Sequence, residues 1–248
     1  MRPLDMGVVE HFIADNIDKD FFDKKLSKLT KITLSDIVKR KNPYLFKAKR
    51  IETGSEFIRQ VLDATVSSGE ETIFGDFMER VALLVCSEVY GGQKSTSNGI
   101  DLDFSVDTIR YLVSIKSGPN WGNAGQIKAM KSNFIAARRT LGTSGGERNR
   151  QIICIEGCCY GIDNKPDKTT HLKLCGQRFW EFISGGHETL YRDLLEPLGR
   201  SVEEKSLELR TLHAAKQDTL TAEFVLLYCD NEIINWDRLA VANSGKTG

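Results

Sequence analysis

The feature that most constrains this 248-residue chain is the run Gln151 to Cys159, which is apolar almost throughout. A strand that is apolar on both faces has no side to give to water, so it belongs inside a sheet covered on both sides. Flanking segments supply the cover. A helix is expected over about Phe74 to Tyr90, with Phe77, Val81, Leu84, Val85 and Val89 on one face and Gly91-Gly92 as its stop. Another is expected over Ala124 to Leu141, apolar along Ile127, Met130, Phe134, Ala137 and Leu141, with Lys128, Lys131 and Arg138 on a different face. Between them, Ile100–Val106 and Ile109–Ser117 alternate apolar and polar residues across the short link Asp107-Thr108, the pattern of a β-hairpin. Helix, hairpin, helix and buried strand, in that order, give an α/β fold with a central mixed sheet flanked by helices.

The remainder is less tightly patterned. Residues 7–68 place apolar residues at helical spacing and read as a helical N-terminal region, for dimerisation or DNA contact, ahead of a core spanning 69–248. Ile37 to Arg50 carries six cations and no acid, and is read as a solvated basic face ahead of a phosphate-contacting arm. Gly142 to Arg150 reads as a polar loop; it is not a phosphate loop, because Gly145-Gly146 lacks a following Gly-Lys-Ser/Thr. Further on come a short strand at His171–Leu174, a helix at Gln177–Ile183, a charged helical stretch from His187 to about Lys216, a strand at Phe224–Leu227 and a frayed tail from Asn243. Phe179, Trp180 and Phe182 are read as core.

No segment of about 18 apolar residues is present and the N-terminus has no apolar leader, so a cytoplasmic protein with no membrane partner is expected. The six cysteines lack paired spacing and nearby histidines, and the four histidines are scattered; the thiols read as reduced core residues rather than a zinc site. Thirty-four basic residues balance thirty-four acidic ones, so net charge points to no partner. Its distribution does. Acids are 34 of 248 residues, so about five are expected in residues 108–146, where none occurs, against Arg110, Lys116, Lys128, Lys131, Arg138 and Arg139. Such a window suits a surface facing phosphates.

The hairpin carries the chemistry. Hydrolysing a phosphodiester draws on a metal held by carboxylates on rigid strands and on a lysine near the attacking water. Asp101 enters the first strand and Lys116 ends the second; Ser114 shares a face with Lys116, and the Ile115 carbonyl remains available as a backbone ligand. Asp103 is Asp101's rival on the same face. A tryptophan at 121 either stacks on DNA or anchors its own loop.

At Gly99-Ile100-Asp101, Tyr111-Leu112-Val113-Ser114-Ile115-Lys116 and the continuation Ser117-Gly118-Pro119-Asn120-Trp121-Gly122-Asn123, the sequence resembles the PD-(D/E)XK nuclease superfamily, and within it the type II restriction endonucleases. Leu174 to Gly185 is a second similar stretch, so the resemblance covers roughly residues 70–200. It implies a restriction-endonuclease-like core, Mg²⁺ as cofactor, double-stranded DNA as substrate, cleavage of both strands at a short palindromic site to leave 5′-phosphates, and a homodimer matching the two-fold site. One departure stands out: Ser114 occupies a position where the family pattern has Asp or Glu. With no acid in 108–146, a downstream donor is excluded and the upstream helix becomes the source. The resemblance points to Glu79, with Asp76 as the fallback. Asp101, Glu79 and the Ile115 carbonyl would then hold the metal, Lys116 would position the water, and Ser114 would be a weak ligand or spacer. Ser117, Asn120, Trp121, Asn123, Gln126, Lys128 and Lys131 are the candidate DNA contacts, the opening of the second helix adding free N–H groups. A structure-specific repair or junction-resolving nuclease and a non-catalytic DNA-binding module remain open alternatives.

Overall fold

The computed structural model describes residues 1–143, 150–200 and 203–245. In chain order these form α1 (Met6–Ile17), α2 (Asp23–Lys31), α3 (Leu34–Arg40), α4 (Pro43–Ala48), α5 (Gly54–Tyr90), β1 (Gln93–Lys94), β2 (Leu102–Val106), β3 (Ile109–Lys116), α6 (Ala124–Thr143), β4 (Gln151–Cys158), β5 (Leu172–Cys175), α7 (Gln177–Ile183), α8 (Leu190–Asp193), α9 (Leu195–Arg200), α10 (Glu203–Tyr228), β6 (Cys229–Asp230), β7 (Ile233–Ile234) and α11 (Trp236–Ser244). They pack as two compact units, Met1–Ile17 with Phe74–Ser201 and Asp18–Ile73 with Val202–Gly248. A boundary at residues 68 and 69 falls inside α5, which runs unbroken for 37 residues.

The first unit is built on a mixed five-stranded sheet in the order β1-β2-β3-β4-β5. β1, β2 and β3 are antiparallel neighbours, whereas β3, β4 and β5 are parallel. β4 is therefore interior, as its apolar sequence requires. The hairpin turns at Asp107, at φ 52°, a left-handed conformation that aspartate tolerates. α5 stops in a left-handed cap: Gly91, at φ 68°, donates to the Ser87 carbonyl, and Gly92 donates to the Cys86 carbonyl. On one side of the sheet, Met130, Phe134 and Ala137 of α6 pack with Leu112 and Cys154. Elsewhere the rings of Tyr90, Phe104, Tyr111 and Phe182 pack at centroid separations of 5.0–5.6 Å, tying α5, the hairpin and α7 together. Phe179, Trp180 and all six free cysteines are buried, as expected of core residues.

The second unit is helical. Phe57 of α5 stacks on Phe224 at 4.8 Å and meets Phe46 of α4 edge-on. Gly54 admits Phe224, Val225 and Cys229 so closely that a Cβ would overlap them. Three expectations need correction. Phe224–Leu227 is not a strand but the end of α10: Leu220 and Phe224, one turn apart, are buried, while Leu226 is 81% exposed. Asn243 is no frayed tail; it lies in α11, where its side chain donates to the carbonyls of Val38 and Lys41. In the first unit, Ile127 leaves the apolar stripe of α6 because the first two turns of that helix stand clear of the core. The expected Gly/Ser loop falls mainly on 144–149, outside the described residues.

The interior strand leaves no room beside Gly157, where a Cβ would overlap the Phe179 ring. Gly157→Ala is expected to lower unfolding free energy by about 1–3 kcal/mol through overpacking, measured by urea denaturation; an unchanged midpoint would show that the ring yields freely.

Candidate active site

β3 outruns its antiparallel partner. The last hairpin pair is Leu102 with Val113, yet β3 continues beside β4 as far as Lys116. Backbone groups stranded at that point need other partners. Asp101 supplies them: its N–H donates to the Val113 carbonyl at 2.9 Å, and its Oδ2 accepts from the Ile115 N–H at 2.6 Å and from the Ser114 hydroxyl at 3.3 Å. The Ile115 carbonyl accepts from Lys116 Nζ at 2.8 Å, and that ammonium lies 3.7 Å from Asp101 Oδ2. The buried Ser114 hydroxyl thus steadies Asp101.

Glu79, in the same unit on α5, faces this group. Burial and then the Asp101 charge raise its carboxyl above the ordinary range, while Lys94 and Lys116 pull the other way. Lys94 approaches it only to 3.8 Å, from an exposed position. The side chains of Glu79, Asp101 and Lys116 are 25%, 22% and 21% exposed, enough for a substrate to reach them. Asp76 adds a smaller repulsion to Glu79 but is itself exposed. Asp103 is occupied: Arg110 grips it with two hydrogen bonds of 2.9 and 2.7 Å. That pair also removes Arg110 from the phosphate-facing surface suggested by the acid-free window, and Arg138 turns inward to the buried Cys154 thiol.

A divalent ion fits these residues. Asp101 Oδ2 and the Ile115 carbonyl already converge on one cationic group, the Lys116 ammonium, and the mutual repulsion of Asp101 and Glu79 is the kind a cation relieves. Two carboxylates and a carbonyl are hard oxygen donors, the set Mg²⁺ takes while keeping several waters. Among the described residues no three His, Cys, Asp or Glu side chains gather into a metal site.

The loop after β3 arranges the remaining candidates. Ser117 lies against Gly75 of α5, where a Cβ would sit 3.4 Å from the serine Cβ, and Asn120 is exposed. Asn123 and Gln126 form a reciprocal cap for α6, each side chain accepting from the other's backbone N–H at 3.0 and 2.9 Å. Lys128 is exposed and Lys131, one turn on, is half-buried. Trp121 serves as an anchor: Nε1 donates to Glu156 at 2.9 Å and its ring lies 4.9 Å below Lys116 Nζ.

Sequence reasoning missed Glu156, although a single acid within the apolar run was a visible signal. It is 4% exposed and accepts from Trp121, from Lys173 Nζ at 2.7 Å and from His171 Nε2 at 3.0 Å. Burial alone would raise its carboxyl, but the bonds from His171, Lys173 and Trp121 outweigh that and hold it at about 2. Behind it, burial and the nearby Glu79 push the Cys159 thiol up to about 12, so this cysteine is inert at neutral pH.

A mixed five-stranded sheet flanked by helices, with this hairpin at its centre, is a restriction-endonuclease-like fold. A family model described as type II restriction endonuclease EcoO109I matches residues 7–206, and the chain belongs to that family. Membership makes it a nuclease of restriction systems acting on DNA, in a family that generally uses divalent metal ions. No curated protein matches the chain significantly. Among the described residues no helix is long and apolar enough to cross a membrane.

Because Glu156 is held below its ordinary 4.5, at about 2, the stability it contributes is complete above about pH 4.5 and is lost as pH falls towards 2. Urea denaturation of the native protein is expected to show a loss across that window on the order of 3 kcal/mol from this group, and Glu156→Gln is expected to flatten it. Identical pH profiles for the two proteins would contradict the assignment.

Proposed function

We propose that the protein is a type II restriction endonuclease that hydrolyses both strands of double-stranded DNA at a short palindromic or near-palindromic site, using Mg²⁺ and leaving 5′-phosphates. The observation that carries this reading is the convergence of Asp101, the Ile115 carbonyl and the Lys116 ammonium where β3 outruns β2, with the half-buried Glu79 carboxylate facing them. Asp101, Glu79 and the Ile115 carbonyl would hold the ion. Bound there, Mg²⁺ supplies charge neutralisation at the phosphate and a water of lowered pKa. Lys116 positions that water, Ser114 orients Asp101, and Trp121 fixes the loop beneath Lys116. Ser117, Asn120, Lys128 and Lys131 contact DNA from the loop and from the first turns of α6, while Asn123 and Gln126 set the helix end that faces the phosphates.

Digestion of bacteriophage DNA with and without Mg²⁺ tests this. Discrete fragments that require Mg²⁺ are expected, with cleavage falling on the order of 10²–10⁴-fold in Lys116→Ala and also in Glu79→Ala. Fragments that survive Glu79→Ala would transfer the second carboxylate to Asp76. Cleavage confined to branched or damaged DNA would replace restriction with repair or resolution, and metal-independent binding without cutting would leave a DNA-binding module.

A two-fold site is read by a two-fold protein, so the active species is a homodimer in a cytoplasmic setting. The helical N-terminal region serves dimerisation or DNA contact in this reading, and support for a dimer comes from α10, β7 and α11, which leave Leu226, Leu227, Ile233 and Val241 exposed, Leu226 at 81% and Val241 at 71%. Sedimentation is expected to give a dimer for the native protein and a folded monomer for Leu226→Asp combined with Val241→Asp; a dimer unaffected by both would place the interface elsewhere.

A further inference from the structure

We infer that Glu156 is a positioning residue for Lys116, acting through the Trp121 indole that it holds; this rests on the cleavage reading above. Glu156 stands next to Ser114 in the β3–β4 register, one strand away from the residues assigned to the reaction. Its carboxylate is fixed by donors from two segments: Trp121 in the loop after β3, and His171 and Lys173 at β5. Lys173 also reaches the loop backbone, donating to the Pro119 carbonyl at 2.8 Å. Tyr160 lies so close to Gly118, and Pro119 to Gly161, that a Cβ on either glycine would overlap its neighbour. The loop is therefore held on both sides, and the aromatic face of Trp121 cannot drift from beneath Lys116.

Lysine needs such a restraint. Its four-carbon stem explores many rotamers, and an ammonium that wanders spends little time near the attacking water. The ring face covers one side of Nζ, at 4.9 Å, while the Ile115 carbonyl and Asp101 take another. Once those oxygens are engaged by a cation, the ring face is the restraint that stays. A loop that needed only anchoring could have used apolar packing in place of a desolvated carboxylate. The acid fixes where the indole points, because a charged acceptor gives its N–H a short, directional bond.

The intact chain and four variants test the link: Glu156→Gln, Trp121→Phe, Trp121→Leu and Glu156→Gln combined with Trp121→Phe. The readout independent of cleavage is the acetylation rate of Lys116 by acetic anhydride, quantified by peptide mass spectrometry against exposed Lys128. Labelling of Lys116 is expected to rise several-fold in Glu156→Gln and further in Trp121→Leu, which has no ring. Trp121→Phe keeps a ring but no donor, and is expected to behave like Glu156→Gln, with the double variant no worse than either, since both break one path. Single-turnover cleavage of duplex DNA in Mg²⁺ is expected to fall about tenfold or more in the same order, while DNA affinity in chelator stays close to native and melting temperature, lowered where the Glu156 carboxylate is lost, does not follow the order of the cleavage losses. Unchanged labelling and cleavage in folded variants would overturn the inference, as would losses of cleavage, affinity and melting temperature that run in parallel, which mark a loop anchor alone. If Glu156→Gln fails to fold, the two Trp121 variants decide by the same labelling. A native protein that cuts no DNA would sink the cleavage reading, while the labelling would still report whether Glu156 restrains Lys116.

Discussion

Everything at this site depends on where β3 loses its antiparallel neighbour. Past the Leu102–Val113 pair the strand still has β4 on one side and no strand on the other. Its exposed edge must find hydrogen-bond partners or disorder. Asp101 captures the Ile115 N–H, and so one side chain continues the ladder for one more step. The Ile115 carbonyl then points into the opening and accepts from the Lys116 ammonium. A carboxylate oxygen, a carbonyl and an ammonium are brought together by the bookkeeping of a strand end, before any demand from catalysis is considered.

Two acids near this opening meet opposite environments. Glu156 is the more deeply buried, yet three donors converge on it and keep it ionised well below the ordinary range. Glu79 is buried less and raised, because desolvation and the Asp101 charge outweigh the exposed Lys94 ammonium 3.8 Å away and the charge of Lys116. Depth of burial therefore does not decide the role; the supply of donors does. The saturated acid is spent on structure, and the one short of partners retains its capacity for a cation or a proton. Environments that push neighbouring acids apart in this way are how a single site divides its work.

The sequence carried much of this, and for identifiable reasons. β4 was legible because an interior strand must be apolar on both faces, the hairpin because its alternation has period two, and α6 because Met130, Phe134 and Ala137 keep helical spacing. Lys116 was legible because an ammonium at the end of an apolar strand needs a reason to be there. Failures came where apolarity and core parted company. Leu226 and Leu227 made the end of α10 look like a strand, although neither is buried in the single chain, and Ile127 was assigned to a core that the first turns of α6 never reach. Glu156 was passed over as a blemish in an apolar run because its three donors come from 35 residues before it and 15 and 17 after it in the chain, a distance that no local pattern reports.

Ser114 and Glu156 explain one another. Register neighbours in a parallel pair lie about 4.8 Å apart with side chains on the same face. An acid at 114 would put a second carboxylate beside a buried one, and like charges at that distance in a desolvated setting cannot both stay ionised. One would have to take up a proton, or Glu156 would lose the grip that Trp121, His171 and Lys173 have on it. Serine avoids the conflict: it is small, neutral, 1% exposed and able to donate to Asp101. A chain that keeps an ionised glutamate at 156 therefore has a physical reason to lack an acid at 114. In the proposed metal site a second carboxylate would then approach from another element, and Glu79 on α5 is an acid that feels the Asp101 charge.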